Sequence, residues 1–219
     1  MFPTTSVVYL APFTDAFLFT ETMNKARFWQ QTDFYGVDLS GLSGESVDHH
    51  FGQPVVGCFD PRVLIAPAVE HLIDFSSVSM DELREFEIPF SFLCNYTGIM
   101  HGVAGWFDVV FRGNVSEVVL TTSPFGPKTH WYQIRFMFKN PLAINAGQTV
   151  TGVMKLVANN QRSYDVVIEA AIEGSVLAAG GEVKVSQKFL LQEQQYWYPT
   201  LPDPAVPVNP ETNNLYTRQ

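Results

Sequence analysis

The sequence has 219 residues, enough for one large or two small domains, and 46% of them are hydrophobic, so a sizeable core is available. The formal net charge of −9 argues against nucleic acid bound through phosphate attraction. An acidic chain suits an Arg- or Lys-rich polypeptide partner, although net acidity also serves solubility alone.

The cysteines and the sequence start indicate a nuclear or cytosolic protein. Cys58 and Cys94 are too few for a disulfide framework and match no zinc spacing, so no metal is predicted. Met1-Phe2-Pro3 lacks the basic and apolar regions of a signal peptide. No apolar run reaches transmembrane length, so no membrane partner is predicted.

The first elements are a strand and a helix. Residues 7–11 are β-branched and aromatic, which predicts a strand that Pro12 ends. A chain that opens on a strand is typical of the back part of a longer protein. Thr14 or Asp15 can then cap a helix that runs to about Gln31.

The predicted helix has two apolar faces. One stripe at helical spacing consists of Phe19, Met23, Ala26 and Trp29 or Gln30. Phe17 and Phe28 lie off this stripe. Either both faces meet the same core, or one is covered by a partner.

A Gly/Ser-rich loop and a short acidic helix follow. The helix, residues 45–51, carries His49 and His50, which point to different faces and make a poor metal pair. Ser79-Met80-Asp81-Glu82 has capping-box spacing.

The rest of the chain is predicted to be β. The predicted strands are 68–75, 86–94, 99–111, 115–121, 131–138, 148–158, 164–172 and 182–190. They are separated by turn residues, namely Asn140-Pro141, Ala146-Gly147, Asn159-Asn160 and Gly180-Gly181. Gly102 and Gly105 indicate a bulge or a close approach of another backbone. Many short strands at even spacing predict a barrel or sandwich.

The chain by itself lacks the parts of a complete active site. It has no Gly-rich cofactor loop between a strand and a helix, no Gly-x-Ser-x-Gly and no His-Glu-x-x-His. One stretch, the loop 121–131, is still a candidate for part of a site. It ends on His130-Trp131 immediately before a predicted strand, where a titratable ring and a large aromatic ring can form one wall of a pocket. An enzyme built on this chain would need another domain.

Eleven segments in order resemble one family. They are Met1-Phe2-Pro3-Thr4, Ala11-Pro12-Phe13-Thr14-Asp15, Gly36-Val37-Asp38-Leu39-Ser40, Gln53-Pro54-Val55-Val56, Ile88-Pro89-Phe90, His101-Gly102, Trp106-Phe107-Asp108-Val109, Thr129-His130-Trp131-Tyr132-Gln133, Ala146-Gly147, Ala158-Asn159 and Gln161-Arg162-Ser163-Tyr164-Asp165. Over residues 1–173 the chain resembles the C-terminal half of type I protein arginine methyltransferases, above all the coactivator-associated group.

The resemblance implies a mainly β fold, a β-barrel with an inserted helical dimerisation arm near the N-terminus. A disordered C-terminal tail is expected from composition, because residues 199–219 hold five prolines and no apolar periodicity. Residues 1–13 would start the barrel, 14–53 form the arm, 54–192 form the substrate-binding barrel, and 193–219 form a proline-rich tail. The S-adenosylmethionine-binding domain of the family would precede this chain. The chain alone is therefore expected to hold no cofactor and to be inactive, whereas the full-length enzyme would use S-adenosylmethionine and form a homodimer.

The resemblance also implies roles for single residues. His130 would be catalytic, paired with a carboxylate on the other domain that raises its pKa, or would only join the domains. Trp131 would bind substrate or pack between domains, while Tyr132 is expected in the core. The resemblance fades after residue 173, and it is the aromatic run 196–198 itself that suggests that Tyr196 and Tyr198 edge the substrate groove, with acidic Glu193 and Asp203 near them for a basic peptide. The arm would dimerise through Phe17, Phe28, Trp29 and Tyr35.

The implied activity is asymmetric dimethylation of arginine in histones and RNA-binding proteins, in the nucleus and cytoplasm. Direct binding of nucleic acid is not expected. Two alternatives stay open on the residues alone: a stand-alone β-barrel or jelly-roll interaction module, and a secreted glycan-binding sandwich that would use the sequons at Asn95 and Asn114.

Overall fold

The computed structural model describes residues 2–175 and 183–198. The strands in these residues are β1 Thr5–Phe13, β2 Val55–Val56, β3 Val69–Asp74, β4 Glu85–Leu93, β5 Gly98–Arg112, β6 Glu117–Thr121, β7 Ile134–Ile144, β8 Thr149–Ala158, β9 Tyr164–Ile172, β10 Lys184–Leu190 and β11 Gln195–Tyr196. The α-helices there are α1 Ala16–Arg27, α2 Ser43–Gly52 and α3 Met80–Arg84. The mainly β prediction is confirmed.

The strands form two sheets that share one core. The larger sheet has the order β11-β2-β7-β5-β1-β3, with β6 added along β5, and the smaller has the order β10-β9-β8-β4. In β4, Ile88, Phe90 and Phe92 are buried and the residues between them are exposed. Because side chains alternate across a strand, this period of two directs one face of β4 into the space between the sheets.

Two side-chain seams bring the sheets together. At one seam, the buried Gln187 of β10 accepts a hydrogen bond from the Lys139 N–H of β7 at 2.8 Å. Its amide also donates to the carbonyl oxygens of Met137, at 2.9 Å, and of Phe51 in α2, at 2.8 Å. At the other seam, His71 of β3 stacks on Phe86 of β4 with ring centroids 5.8 Å apart.

Helices α1 and α2 pack on the outside of the larger sheet, whereas the short α3 lies against β4 and β8 of the smaller one. Asp15 caps α1, as predicted, by accepting a hydrogen bond from the Leu18 N–H at 2.9 Å. The most deeply buried side chains of α1 are Leu18, Thr22 and Ala26, so the buried stripe is centred one residue before the predicted one, with Phe19 half-buried beside it. Leu18 belongs, with Phe51 of α2, to a second core cluster between the helices and the sheet, and Phe19 packs against that cluster.

We call residues 16–52, from the start of α1 to the end of α2, the helical segment, and its outer face is exposed and aromatic. Phe17 is 49% exposed, Phe28 is 45% exposed and Tyr35 is 94% exposed. The half-buried Trp29 packs edge-on against Phe28 with centroids 5.4 Å apart. The second apolar face expected from the sequence is therefore present, and none of the described residues covers it.

Two predicted breaks are absent. Pro12 does not end β1. Its carbonyl accepts a hydrogen bond from the Ile65 N–H, and in a strand the N–H of a residue points to the same side as its carbonyl. On that side the pairing with β3 has already ended at Leu10, so the N–H that proline lacks is not needed for a strand pair. Asn140-Pro141 is not a turn but lies within β7. The pairing with β5 skips residues 138–141 there, which lets the strand hold a proline.

Other expectations have mixed outcomes. The capping box before α3 is present, and a register shift between Met100 and Gly102 confirms the predicted bulge. The strand expected from residue 131 begins at Ile134. Gly180-Gly181 and residues 199–219 lie outside the described residues, whereas β11, in the segment assigned to a tail from residue 193, pairs in parallel with β2.

Within residues 2–175 and 183–198, no helix has the length and apolar character needed to cross a membrane. No group of three or more His, Cys, Asp or Glu side chains in the same ranges is placed to hold a metal ion, and Cys58 and Cys94 are free thiols.

Candidate functional site

The loop between β6 and β7 is held at its base by Thr122 and Gln133. The buried Thr122 hydroxyl donates to the Phe107 carbonyl at 2.7 Å and accepts from the Phe107 N–H at 3.0 Å. The Gln133 amide donates to the Thr122 carbonyl at 2.7 Å. These bonds close the two ends of the loop on each other.

Near the end of this loop, one threonine fixes the turn that carries His130. The Thr129 hydroxyl donates to the Trp131 carbonyl at 3.0 Å and accepts from the Trp131 N–H at 3.1 Å. His130 is exposed on this turn, and among the described residues no side chain hydrogen-bonds to its ring.

A cavity of about 400 Å³ opens between the two sheets at this loop. Its mouth is formed by His130, Trp131, Tyr132 and Tyr196. Its walls are mainly apolar side chains from both sheets, including Val8, Leu10, Ile88, Ile134, Phe136 and Met154. A mostly apolar cavity with a few polar groups at its rim has the character of a ligand or peptide site.

Aromatic rings continue from the cavity mouth onto the surface. Tyr196 and Tyr198 stack with centroids 6.4 Å apart, and Tyr198 meets Tyr132 edge-on at 6.2 Å. Trp131 is 54% exposed, and the two stacked tyrosines are exposed to a similar degree. We call Trp131, Tyr132, Tyr196 and Tyr198 the aromatic wall.

The structure thus brings together the residues predicted for substrate binding. Trp131, Tyr196 and the predicted catalytic His130 line one cavity, while Tyr198 joins it through Tyr196. Tyr132 was expected in the core, but it is half-buried at the mouth because β7 begins only at Ile134. The roles of these residues stay predictions. The residues predicted for dimerisation lie apart from the cavity, on the helical segment.

Sequence reasoning missed a buried arginine behind the site. Arg135 is 1% exposed and its Nη1 lies 2.6 Å from Asp15 Oδ2. Its guanidinium sits between the rings of Phe59 and Trp197, 5.5 Å and 5.0 Å from their centres. Burial lowers the pKa of Arg135, and the charge of Asp15 opposes that change. The available signal was one Arg within an apolar strand, which predicts a buried, paired charge.

His101 completes the polar contacts at the start of α1. Its Nδ1 accepts a hydrogen bond from the Asp15 N–H at 3.0 Å and lies 3.3 Å from the Thr14 hydroxyl. Burial lowers the pKa of His101, while Asp15 and a bond to the backbone of Ile99 act in the other direction. An Nδ1 that accepts from an N–H carries no proton, so this ring serves as a neutral acceptor beneath the helix cap.

Comparisons with known proteins agree with this architecture. The family described as "Arginine methyltransferase oligomerization subdomain" matches residues 4–175. The chain is 42% identical over 208 residues to a probable histone-arginine methyltransferase CARM1 of Oryza sativa subsp. indica, covering 94% of this chain and 39% of the relative. It is 43% identical over 189 residues to the histone-arginine methyltransferase CARMER of Drosophila ananassae, covering 86% of this chain and 36% of the relative. The chain thus spans less than half the length of these curated relatives.

Solved structures share the fold at low sequence identity. The Trypanosoma brucei PRMT1 enzyme–prozyme complex with AdoHcy aligns with a TM-score of 0.67 and 23% identity, over 87% of this chain and 57% of that one. Arabidopsis thaliana protein arginine methyltransferase 10 aligns with a TM-score of 0.68 and 21% identity, over 86% and 60%. With a family match that covers most of its length, the chain belongs to the protein arginine methyltransferases and comprises their C-terminal oligomerisation subdomain.

Proposed function

We propose that this chain is the substrate-binding barrel and dimerisation arm of an enzyme that methylates arginine in histones and RNA-binding proteins, with asymmetric dimethylarginine as the product. The observation that carries the proposal is the cavity at which His130, Trp131 and Tyr196 meet. The names of the relatives, histone-arginine methyltransferases, support the substrate class. Action on these substrates would occur in the nucleus and cytoplasm.

The aromatic wall suits an arginine-containing peptide. A guanidinium is a planar cation that is attracted to aromatic faces, and its aliphatic stem packs on apolar surface. Trp131 and Tyr196 offer such faces at the mouth. The net charge of −9 would draw basic peptides toward the molecule.

His130 is proposed to act as the proton acceptor of the reaction. Its exposed ring, on the turn before β7, could pair with a carboxylate supplied by another domain. The ring would then take up the proton that the guanidinium releases on methylation. Trp131, held by Thr129, would then position the substrate beside it.

The described residues do not fit S-adenosylmethionine. No carboxylate lines the cavity that could bind ribose hydroxyls, and its walls are mainly apolar. We therefore propose that the cofactor, which supplies the methyl group, is bound by a domain outside residues 1–219, and that the chain alone transfers no methyl group. Isothermal titration of the chain with S-adenosylmethionine tests this: saturable binding would contradict it.

The helical segment is proposed to close a homodimer. Exposed Phe28, Phe34 and Tyr35 contact one another edge-on and form an apolar tip that a second copy of the full-length protein would cover. In the full-length protein, Phe28→Ser with Tyr35→Ser should shift sedimentation from dimer to monomer. Leu72→Ser, at an apolar position on β3 whose exposure lies between those of Phe28 and Tyr35, is the control. An unchanged dimer would contradict this role of the segment.

The site itself is tested by steady-state kinetics of the full-length enzyme on a histone-derived arginine peptide. Trp131→Ala and Tyr196→Ala should each raise KM about tenfold, the effect of losing one aromatic contact to a cation. His130→Ala should lower kcat about a hundredfold, as for loss of a proton acceptor. Phe125→Ala alters the same loop at a residue outside the cavity lining and should change neither constant. Equal kinetics in all variants would contradict the assignment.

A further inference from the structure

Trp197 lies in sequence between Tyr196 and Tyr198 of the aromatic wall, but its side chain points away from the cavity. Tyr196 lines the cavity, whereas Trp197 packs against the second core cluster between the helices and the sheet. Consecutive residues of an extended chain point to opposite sides, so one short segment carries a substrate-facing ring and an inward ring. A displacement of Trp197 therefore displaces Tyr196 and Tyr198.

The inward ring of Trp197 is bound to helix α1 by two routes. Its Nε1–H donates directly to Glu21 Oε2 at 3.0 Å. Its face covers the guanidinium of Arg135, which is paired with Asp15, the residue that caps α1. Arg135 Nε and Nη2 have no hydrogen-bond partner among the described residues. Because an under-bonded buried guanidinium gains most from the ring that covers it, the stacked position of Trp197 is favoured over others.

The same segment is bound to the chain that leaves helix α2. The Trp197 N–H donates to the Val56 carbonyl at 2.8 Å, and the Gln195 N–H donates to the Pro54 carbonyl at 2.8 Å. At Gly57 a Cβ would lie 2.3 Å from the Trp197 carbonyl oxygen, so only glycine permits this approach. Residues 195–197, next to and including Tyr196, thus contact both ends of the helical segment. They contact α1 at its start and the chain that follows α2 at its end.

We propose that Trp197 is a positioning residue that couples the helical segment to the aromatic wall. Glu21 and Arg135 fix the indole, and the indole fixes Tyr196 and Tyr198 at the cavity mouth. This regulation of substrate binding rests on the proposed function, since a dimer that steadies the helices would steady the substrate-facing rings. The coupling itself lies within the chain and holds whatever the cavity binds.

The test is site-resolved NMR on the 219-residue chain. Glu21→Met removes the acceptor of the indole N–H while keeping the length and helix propensity of the side chain. Glu21→Gln restores an acceptor. Lys25→Met is the matched control, because it removes the other partner of Glu21, at 3.1 Å, and leaves the bond to Trp197.

In Glu21→Met, we expect exchange of the Trp197 indole and backbone amide protons to rise about tenfold, as for loss of one hydrogen bond to a charged acceptor. The ring resonances of Tyr196 and Tyr198 should shift with it. Glu21→Gln should return both signals towards wild type, and Lys25→Met should leave them unchanged. Unchanged tyrosine resonances in Glu21→Met, or an equal rise of exchange throughout the chain, would overturn the coupling. Either outcome is independent of methyl transfer, so failure of the proposed function would be seen separately.

Discussion

At the scale of single residues, His101 links the barrel to the first helix through its neutral form. Its Nδ1 accepts the Asp15 N–H, and a protonated ring could not do so. Burial, the largest cause, lowers the pKa of His101. The facing charged group is Asp15, which is itself held by Arg135. The ring is therefore a proton-sensitive support of the helix cap.

This support predicts a pH dependence of stability. Because the folded pKa of His101 is lowered, the unfolded chain binds more protons, and its contribution is fully present above the unfolded value of about 6.5 and is lost as pH falls below it. His50 and His71, whose pKa values burial also lowers, act in the same direction. Urea unfolding between pH 8 and 5 should show a shallower loss of unfolding free energy in His101→Gln, whose amide oxygen can accept without titrating. Identical slopes in both proteins would contradict this.

Residue roles were predictable only where neighbours in sequence share a site. His130 and Trp131 adjoin in one loop, so the sequence placed them together, and the aromatic run 196–198 singled out Tyr196 and Tyr198. Arg135 and Asp15 are 120 positions apart, and no periodicity indicates that an Arg in one strand meets a helix cap elsewhere. The apolar run around Arg135 indicated that its side chain is buried and paired, but it did not indicate the partner.

At the scale of elements, the seam between β7 and β10 depends on one amide. Gln187 bonds the Lys139 N–H, where β7 has no partner on β5, and the carbonyls of Met137 and Phe51. One side chain thus joins two sheets and a helix.

Removal of this amide should be costly. In Gln187→Leu, three buried backbone groups lose their partner, and we expect the free energy of unfolding to fall by roughly 2–5 kcal/mol. Ser186→Ala, whose hydroxyl bonds only Glu169 at the surface, should change it by less than about 0.5 kcal/mol. Chemical denaturation of both variants gives the comparison; equal losses would show that the seam does not depend on Gln187.

Strands were the most predictable elements. Apolar residues alternate with others in β4, β8 and β9, and this period of two can be seen without knowing which strands pair. The errors fell on prolines. Whether Pro12 or Pro141 ends a strand depends on which edge needs an N–H, and that depends on pairings set by residues far away in sequence. Local sequence does not carry this information.

At the scale of the whole molecule, the helices and the sheets share buried side chains. The second core cluster joins Leu18 of α1 and Phe51 of α2 to Phe13 and Met137 of the larger sheet. The helices are therefore not a free-standing insertion: their base is packed against the sheet, and only the aromatic tip with Phe28 and Tyr35 is exposed.

A shared core predicts that helices and barrel unfold together. Far-UV circular dichroism, dominated by α1 and α2, and the fluorescence of the four tryptophans should give coincident urea transitions. Phe51→Ala opens a cavity between helix and sheet and should shift both transitions equally, by about 3–5 kcal/mol. Phe28→Ala, at the exposed tip, should shift neither by more than about 0.5 kcal/mol. A helical signal lost at lower urea than the fluorescence would mean that the helices melt alone, and that the contacts of Leu18 and Phe51 do not bind them to the barrel.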